Sequence, residues 1–102
     1  MGTVKLLAMY TQPEDEAAFL KHYHEVHLPL VMKVPGLEKA VVNRIEKNLM
    51  GGAVPYYMIA ELHFPDQATF DAAMASPENR AAGKDVGNFA KGLVTLVLAR
   101  EG

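Results

Sequence analysis

Cysteine is absent from the 102-residue sequence, which excludes disulfide bonds, thiolate zinc sites and cysteine nucleophiles. Serine occurs once, as Ser76 directly before a proline, and this gives little support to a serine hydrolase. The glycines never form the G-x-G-x-x-G pattern of nicotinamide- and flavin-binding folds, and the zinc motif H-E-x-x-H is also missing. We therefore expect no cofactor and no metal ion.

A basic surplus and a long apolar run are missing as well. Ten basic and twelve acidic residues give a formal net charge of -2, which provides no electrostatic footprint for nucleic acid. No apolar segment approaches the roughly 20 residues that span a bilayer. Met1 and Gly2 run directly into a strand pattern without signal-peptide character, and Leu6 stands where myristoylation needs Ser or Thr. These absences predict a cytoplasmic protein with no nucleic-acid or membrane partner.

Hydrophobic residues, by contrast, make up 50% of the chain. A chain of 102 residues has room for one core, so we expect residues 1–102 to form a single domain. So large an apolar share in so short a chain predicts apolar surface beyond that core, which a partner subunit would cover.

Apolar and alternating segments predict four β-strands and two main helices. The strands are expected at residues 4–10, 37–46, 56–64 and 93–99. The helices begin after residues 11–15 and at residues 65–66, each at a proline followed by acidic residues, and the second ends near residue 75. Residues 79–90, which contain two glycines, are expected to form short irregular helix.

A weak internal repeat gives the order of these elements. In each half a strand precedes a Pro–acid helix start and an inward phenylalanine, Phe19 in the first half and Phe70 in the second. The order βαββαβ predicts an α+β, ferredoxin-like domain with both helices on one face of a four-stranded antiparallel sheet. The opposite face is expected to carry a full set of apolar side chains that pair with a second sheet, forming a homodimeric α/β barrel.

Three of the four histidines lie within six residues, at His22, His24 and His27. Helical spacing places His27 on the buried stripe with Phe19 and Tyr23, whereas His22 and His24 fall off that stripe and are expected in solvent. Pro29 lacks an N–H group and its ring clashes with the preceding turn, so the helix is expected to kink or break close to His27.

One pattern extends from the histidine helix into the second strand: Phe19-x-x-x-Tyr23-x-x-x-His27-x-Pro29-Leu30, then Pro35-Gly36-Leu37, then Asn43. In this pattern, and over nearly its whole length, the chain resembles the EthD family of dimeric α/β-barrel proteins, named for ethyl tert-butyl ether degradation. The resemblance implies a homodimeric barrel whose subunits each enclose a cavity between helices and sheet. Related barrels include heme-free monooxygenases, polyketide cyclases, lactone isomerases and dehydratases, so no single reaction is implied.

His27 is the strongest candidate for chemistry. An imidazole that titrates near neutrality both takes and gives a proton, which suits general acid–base catalysis. On position alone, His27 could equally be a core histidine that is hydrogen-bonded to a backbone carbonyl. The resemblance to the EthD family favours a His27 that lines a pocket. Tyr23, one turn earlier, is a second catalytic candidate that could hydrogen-bond a substrate oxygen. A tyrosine whose ring packs in the core and whose hydroxyl contacts solvent is the commoner arrangement.

Four further residues are candidates for substrate binding: Tyr10, Phe19, Asn43 and Tyr57. The amide of Asn43 and the hydroxyl of Tyr57 could donate hydrogen bonds to a carbonyl or enolate oxygen. Their sheet faces stay open, because a register slip of one residue exchanges the two faces of a strand. Glu61 and His63 share a strand face, either as a buried acid–base pair or as a pair at a subunit interface or in solvent.

Two functional classes follow from these residues, with metal binding by the histidine cluster as a minority interpretation. The first is a cofactor-independent oxidoreductase (monooxygenase), isomerase, cyclase or dehydratase in which His27 moves a proton on a small apolar or aromatic, oxygen-bearing molecule. The second is a non-catalytic barrel that binds such a small-molecule ligand for a neighbouring enzyme of its pathway.

Overall fold

Strand β1 (Val4–Tyr10) lies inside an antiparallel four-stranded sheet of order β2-β3-β1-β4. The computed structural model describes residues 3–102, so the expectations about Met1 and Gly2 lie outside the described residues. The remaining strands are β2 (Lys39–Arg44), β3 (Met58–Phe64) and β4 (Val94–Arg100). Ala8 of β1 lies opposite Ala60 of β3 and Leu96 of β4, which fixes the register. The predicted α+β, ferredoxin-like sheet is confirmed, with strand bounds that differ by at most a few residues.

Three of the helical segments begin at N-termini that an Asp or Ser side chain caps, at Asp15, Asp66 and Ser76. Asp15 accepts a hydrogen bond from the Ala18 N–H at 3.0 Å, and Ser76 accepts one from the Asn79 N–H at 3.1 Å. The helical segments are α1 (Glu16–His22), a π-helical turn (Tyr23–His27), α2 (Leu28–Val31), α3 (Gln67–Met74) and α4 (Pro77–Phe89). None of the helices in residues 3–102 has both the length and the apolar character needed to cross a membrane.

One expectation about the helices is met in a different form, and one is wrong. The α-helix is interrupted close to His27, as Pro29 predicts, but by a π-helical turn from which α2 continues and not by a break in the helix. Residues 79–90 were expected to form short irregular helix, whereas α4 is a continuous helix of 13 residues. Gly83 and Gly87 are tolerated inside α4 because a capped start and a buried face stabilise the helix more than two glycines weaken it.

The helices cover one face of the sheet and leave the other open. Buried side chains of the covered face include Val4, Tyr10, Met58 and Phe64. The open face was expected to be apolar throughout, and this expectation is wrong. Its half-buried apolar residues surround a polar group, because the register brings charged and amide side chains onto the same face. The polar group consists of Lys5, Asn43, Glu61 and His63.

Gly87→Ala is expected to raise the free energy of unfolding by about 0.5–1 kcal/mol, because alanine restricts the unfolded chain more than glycine does. A Cβ atom at Gly87 meets no atom within 4 Å, so the folded helix accepts it. The matched control is Gly36→Ala, which is expected to destabilise the fold. Gly36 has φ +80°, and its Cβ would collide with the Thr69 methyl group. Urea unfolding of the two variants measures both effects, and a stability loss in Gly87→Ala would contradict the prediction.

Candidate functional site

A cavity of about 60 Å³ lies between the sheet and the helices, where the two clusters of the hydrophobic core meet. Its walls are largely aliphatic side chains of β1, β3 and α4. Four lining residues carry polar groups: Tyr10, Tyr23, His27 and Asn79. The cavity reaches the surface between α4 and β4, since Gly83 and Leu96 line it and are both exposed. It therefore has the form of an apolar pocket with a few convergent polar groups.

The π-helical turn determines which histidines reach this pocket. Residues five apart stand about 140° apart around a regular α-helix, so His22 and His27 would point in different directions. Hydrogen bonds of a π-turn join residues five apart, as in the bond from the Leu28 N–H to the Tyr23 carbonyl. The wider turn brings His22 and His27 onto the same side, facing α4. Such turns are frequent at functional sites.

Asp85 of α4 lies between these two imidazoles. Its Oδ2 atom is 3.0 Å from Nδ1 of His27, and its Oδ1 atom is 2.9 Å from Nε2 of His22. Both ring nitrogens therefore donate N–H groups to the carboxylate. Asp85 and His27 are buried, whereas the His22 side chain keeps 33% of its surface exposed. The expectation that His22 is exposed is wrong, since it is half-buried, while His24 is exposed as expected.

The bond to Asp85 orients His27 as a proton acceptor. With the proton held on Nδ1, the neutral ring carries its lone pair on Nε2. Burial lowers the pKa of His27, against the hydrogen bond and negative charge of Asp85, which raise it, while the nearby His22 lowers it further. The neutral, basic form of His27 is thus favoured at neutral pH.

Two tyrosine hydroxyls join His27 at the cavity. Tyr10 and Tyr23 are each 1% exposed, their rings meet edge to face, and neither hydroxyl has a hydrogen-bond partner among residues 3–102. No fully sealed side-chain N or O atom in this part of the chain lacks a partner, so the free hydroxyls face open space. Burial raises the pKa of Tyr23 to about 12 and that of Tyr10 further still, which keeps both as hydrogen-bond donors.

The structure brings together three of the residues that the sequence singled out and separates three others from them. Tyr10, Tyr23 and His27 line the cavity. Phe19 contacts Tyr10, with ring centroids 5.3 Å apart, but does not line the cavity. The Tyr57 hydroxyl donates to Glu16 at 2.7 Å near the start of α1, and Asn43 lies on the open face. The structure therefore does not bring these three residues to the cavity that His27 lines.

Asn43 belongs instead to the polar group of the open face. Its amide donates to Glu61 at 2.9 Å, and His63 lies 3.0 Å from the other oxygen of that carboxylate. The hydrogen bond from Asn43 is the main reason that the pKa of Glu61 lies below its usual value, and His63 and Lys5 lower it further. Glu61 and His63 thus form a half-buried pair on the side of the sheet away from the cavity.

Sequence reasoning missed Asp85, Phe89 and the second histidine of the cluster. Phe89 stacks on His22 with ring centroids 4.6 Å apart and lies 5.0 Å from the His27 ring. A usable signal was present in the spacing of Ala82, Asp85, Val86 and Phe89, which follows one helical face. A regular helix over residues 77–89 would have placed the carboxylate on its buried side.

The histidines make no metal cluster in the described chain. Across residues 3–102, no group of three or more His, Asp or Glu side chains has the geometry to hold a metal ion. The Nε2 atom of His22 and the Nδ1 atom of His27 are both hydrogen-bonded to Asp85.

His27→Gln is expected to flatten the pH dependence of stability below pH ~6.5. A histidine whose pKa is lowered by folding binds more protons in the unfolded chain, so its contribution is complete above the unfolded value of 6.5 and is lost as the pH falls through the folded pKa. Urea unfolding of wild type and variant between pH 5 and 7.5 measures the difference. If the wild type gained stability relative to the variant on acidification, the pKa of His27 would be raised rather than lowered.

Comparison with known proteins agrees with the motif in the histidine helix. The family model of the EthD domain matches residues 11–92. A curated relative from Rhodococcus erythropolis, an uncharacterized 11.0 kDa protein in the thcB-thcC intergenic region, is 36% identical over 95% of this chain and 93% of its own length. The crystal structure of an EthD family protein from Bacillus halodurans superposes with a TM-score of 0.91 at 41% identity, covering 98% of this chain and 99% of that one.

More distant structures share the fold. A dimeric ferredoxin-like protein of unknown function from Bacteroides fragilis superposes with a TM-score of 0.65 at 15% identity, over 97% of this chain and 96% of that chain. SnoaB from Streptomyces nogalater, a cofactor-independent oxygenase, gives a TM-score of 0.66 at 14% identity, over 100% of this chain and 93% of its own.

Proposed function

This chain belongs to the EthD family, and we propose that its cavity binds a small, oxygen-bearing, otherwise apolar molecule on which His27 acts as a general base. One observation carries the proposal. The buried His27 is held by Asp85 through Nδ1 at 3.0 Å, and it lines a cavity that Tyr10 and Tyr23 also line. A proton acceptor and two hydrogen-bond donors thus face the same small space.

The reaction class is removal of a proton from a carbon next to a carbonyl group. The Nε2 atom of His27 takes the proton, and the bonding electrons move onto the carbonyl oxygen as an enolate. Asp85 stabilises the imidazolium that forms, as the carboxylate does in other His–Asp pairs. The proton then returns to another carbon, or a neighbouring leaving group departs, which gives isomerase or dehydratase chemistry.

The tyrosine hydroxyls support this chemistry because they can bond the oxygen on which charge develops. Donors placed beforehand in an apolar site stabilise an oxyanion far more than water does. Since burial keeps the pKa of Tyr23 near 12, the hydroxyl stays protonated while it donates. SnoaB is a cofactor-independent oxygenase with this fold, so the architecture is compatible with catalysis by protein side chains alone.

A ligand screen tests the proposal. Small diketones, hydroxyketones and phenols are added to the protein, and the carbon-bound protons of His27 are followed by NMR. Exchange of ligand C–H for deuterium in heavy water then reports proton removal. We expect at least one ligand to shift the NMR signals of His27. The C–H groups of that ligand should exchange for deuterium faster in the presence of the wild type than in the presence of His27→Gln. A panel that leaves every His27 signal unchanged would contradict the proposal.

The alternative function is non-catalytic binding of such a metabolite. One observation favours it: within residues 3–102, no carboxylate or other nucleophile lines the cavity besides the His27 imidazole. A ligand that co-purifies with the protein, binds at His27 and returns chemically unchanged without deuterium uptake would favour this alternative over catalysis.

We also propose that the chain forms a homodimer through the open face of the sheet. Leu7, Met9, Val41, Ile59 and Val97 lie on this face and no helix covers them. The ferredoxin-like neighbour from Bacteroides fragilis is dimeric, which supports the same assembly here. Sedimentation of Ile59→Lys is expected to show monomers, whereas an exposed Leu49→Lys is expected to stay dimeric.

A further inference from the structure

The opening of the cavity lies between α4 and β4, where Gly83 and Leu96 both line the cavity and are exposed. Residues two apart on an α-helix differ in direction by about 200°. Gly83 therefore points almost opposite to Asp85, which bonds His27. The histidine pair and the opening thus lie on opposite flanks of α4, with the cavity between this helix and the sheet.

Gly83 leaves open space at the edge of this opening. A Cβ atom added to Gly83 would meet no atom within 4 Å, so the packing of α4 does not require glycine there. A long side chain on a helix leans back over the preceding turn, which at this position carries Asn79, a further lining residue of the cavity. A leucine side chain in place of the glycine would therefore lie across the opening without entering the core.

Two leucines of β4 continue the cavity wall outside the opening. Leu96 pairs with Ala8 and Leu98 pairs with Leu6, so both leucines lie on the helix-covered face of the sheet. The helices nevertheless leave 53% of Leu96 and 51% of Leu98 exposed. Leu96 lines the cavity, and Leu98 lies just outside it on the same strand face. These two side chains, the β4 shelf, form an apolar surface that is continuous with the cavity.

The cavity alone is small for a ligand site. Its volume is about 60 Å³, whereas an apolar cavity of about 150 Å³ holds benzene and typical small-molecule sites measure roughly 300–1,000 Å³. A ligand with its carbonyl group at His27 and more than a few carbon atoms must therefore extend through the opening. The β4 shelf is the apolar surface that it meets there.

We propose that the β4 shelf is a second binding subsite that takes the apolar tail of the ligand, and that Gly83 keeps the passage to it open. This inference rests on the proposed function of the cavity and names the ligand class more closely. The ligand has an oxygen-bearing head of a few atoms, which the cavity encloses, and an alkyl or aryl tail, which lies on Leu96 and Leu98. Gly83 determines specificity only, since it contacts no reacting atom.

A series of methyl ketones from acetone to nonanone tests the inference, because the carbonyl head stays constant while the tail lengthens. Affinities are measured by NMR titration for wild type, Gly83→Leu and Leu98→Ser. Gly87→Leu is the matched control, since Gly87 is also exposed on α4 with no atom within 4 Å of an added Cβ, but does not line the cavity. Backbone amide spectra and urea unfolding establish that each protein is folded, and both glycine variants should be the more stable for a better helix former.

We expect the affinity of wild type and Gly87→Leu to rise about twofold with each methylene group beyond the opening, as for a tail that is about half-buried. Gly83→Leu should bind acetone within about twofold of wild type but nonanone at least about tenfold more weakly, because the tail cannot pass. Leu98→Ser should leave acetone unchanged and weaken nonanone by about threefold.

A folded Gly83→Leu protein with the tail-length dependence of wild type would overturn the inference and leave the proposed function standing. Dissociation of the dimer in Leu98→Ser, measured by sedimentation, would also overturn it, because the β4 shelf would then be covered by a partner subunit. Failure of every protein to bind any ketone at His27 would contradict the inference together with the proposed function.

Discussion

His27→Gln is expected to reduce ligand deuterium exchange at least ~100-fold, the usual contribution of a general base. Glutamine is polar and close to histidine in size, so the buried position stays filled by a side chain that can form hydrogen bonds. It has no basic nitrogen, and proton transfer therefore stops. The measurement is the exchange rate in heavy water at pH 7.5, where burial keeps the imidazole of the wild type neutral.

His24→Gln is the matched control for this variant. His24 belongs to the same π-helical turn, but it is exposed and does not line the cavity. We expect its exchange rate to match that of the wild type. Equal losses in the two variants would show that the turn as a whole matters and not the base, and a fully active His27→Gln protein would remove His27 from the mechanism.

Asp85→Asn is expected to lower both the pKa of His27 and the rate of exchange. The carboxylate raises the pKa of His27 through its hydrogen bond and its charge, so the neutral amide leaves burial and the nearby His22, both of which lower that pKa. The acid limb of the pH–rate profile therefore moves to lower pH. The plateau falls by about tenfold or more, because the amide no longer holds Nδ1 as the protonated nitrogen. Stability is expected to fall by about 1–3 kcal/mol, as for a lost buried charge-assisted hydrogen bond.

His22→Gln separates the two roles of this carboxylate. The glutamine amide can still donate to Asp85, but the imidazole of His22, whose electrostatic effect lowers the pKa of His27, is gone. We expect the acid limb to move to higher pH, opposite to its shift in Asp85→Asn. NMR titration of the His27 ring protons follows both shifts without a substrate. Shifts in the same direction for the two variants would contradict the arrangement of two imidazoles around one carboxylate.

Local sequence patterns were sufficient to predict the sheet and its helical layer. Strand β1 agrees with its predicted range because its apolar run ends at a clear turn signal. The inward phenylalanines Phe19 and Phe70 are buried as the repeat indicated. Tyr10, Tyr23 and His27 meet at one cavity because helical spacing puts the last two on one stripe and strand alternation puts Tyr10 beneath them.

The parts of the site that the sequence did not predict depend on helix geometry and on a distant segment. A regular α-helix separates His22 from His27, and only the π-helical turn aligns them, a departure that Pro29 favours without specifying it. Asp85 lies 58 residues from His27 along the chain. The two glycines of α4 led to the prediction of an irregular segment, so the regular helix that carries Asp85 was not predicted. The face of Asn43 was left open at the level of sequence, because alternation alone cannot decide it, and the register turns this side chain to the open face.

A crystal structure of the protein with the tightest ligand from the screen would show whether the ligand lies beside His27. We expect ligand density in the cavity, with a ligand oxygen within hydrogen-bond distance of the Tyr10 or Tyr23 hydroxyl and the reacting atom beside Nε2 of His27. A ligand bound on the open face of the sheet, or a His27 whose Nε2 bonds to a protein group instead of facing the ligand, would contradict this expectation.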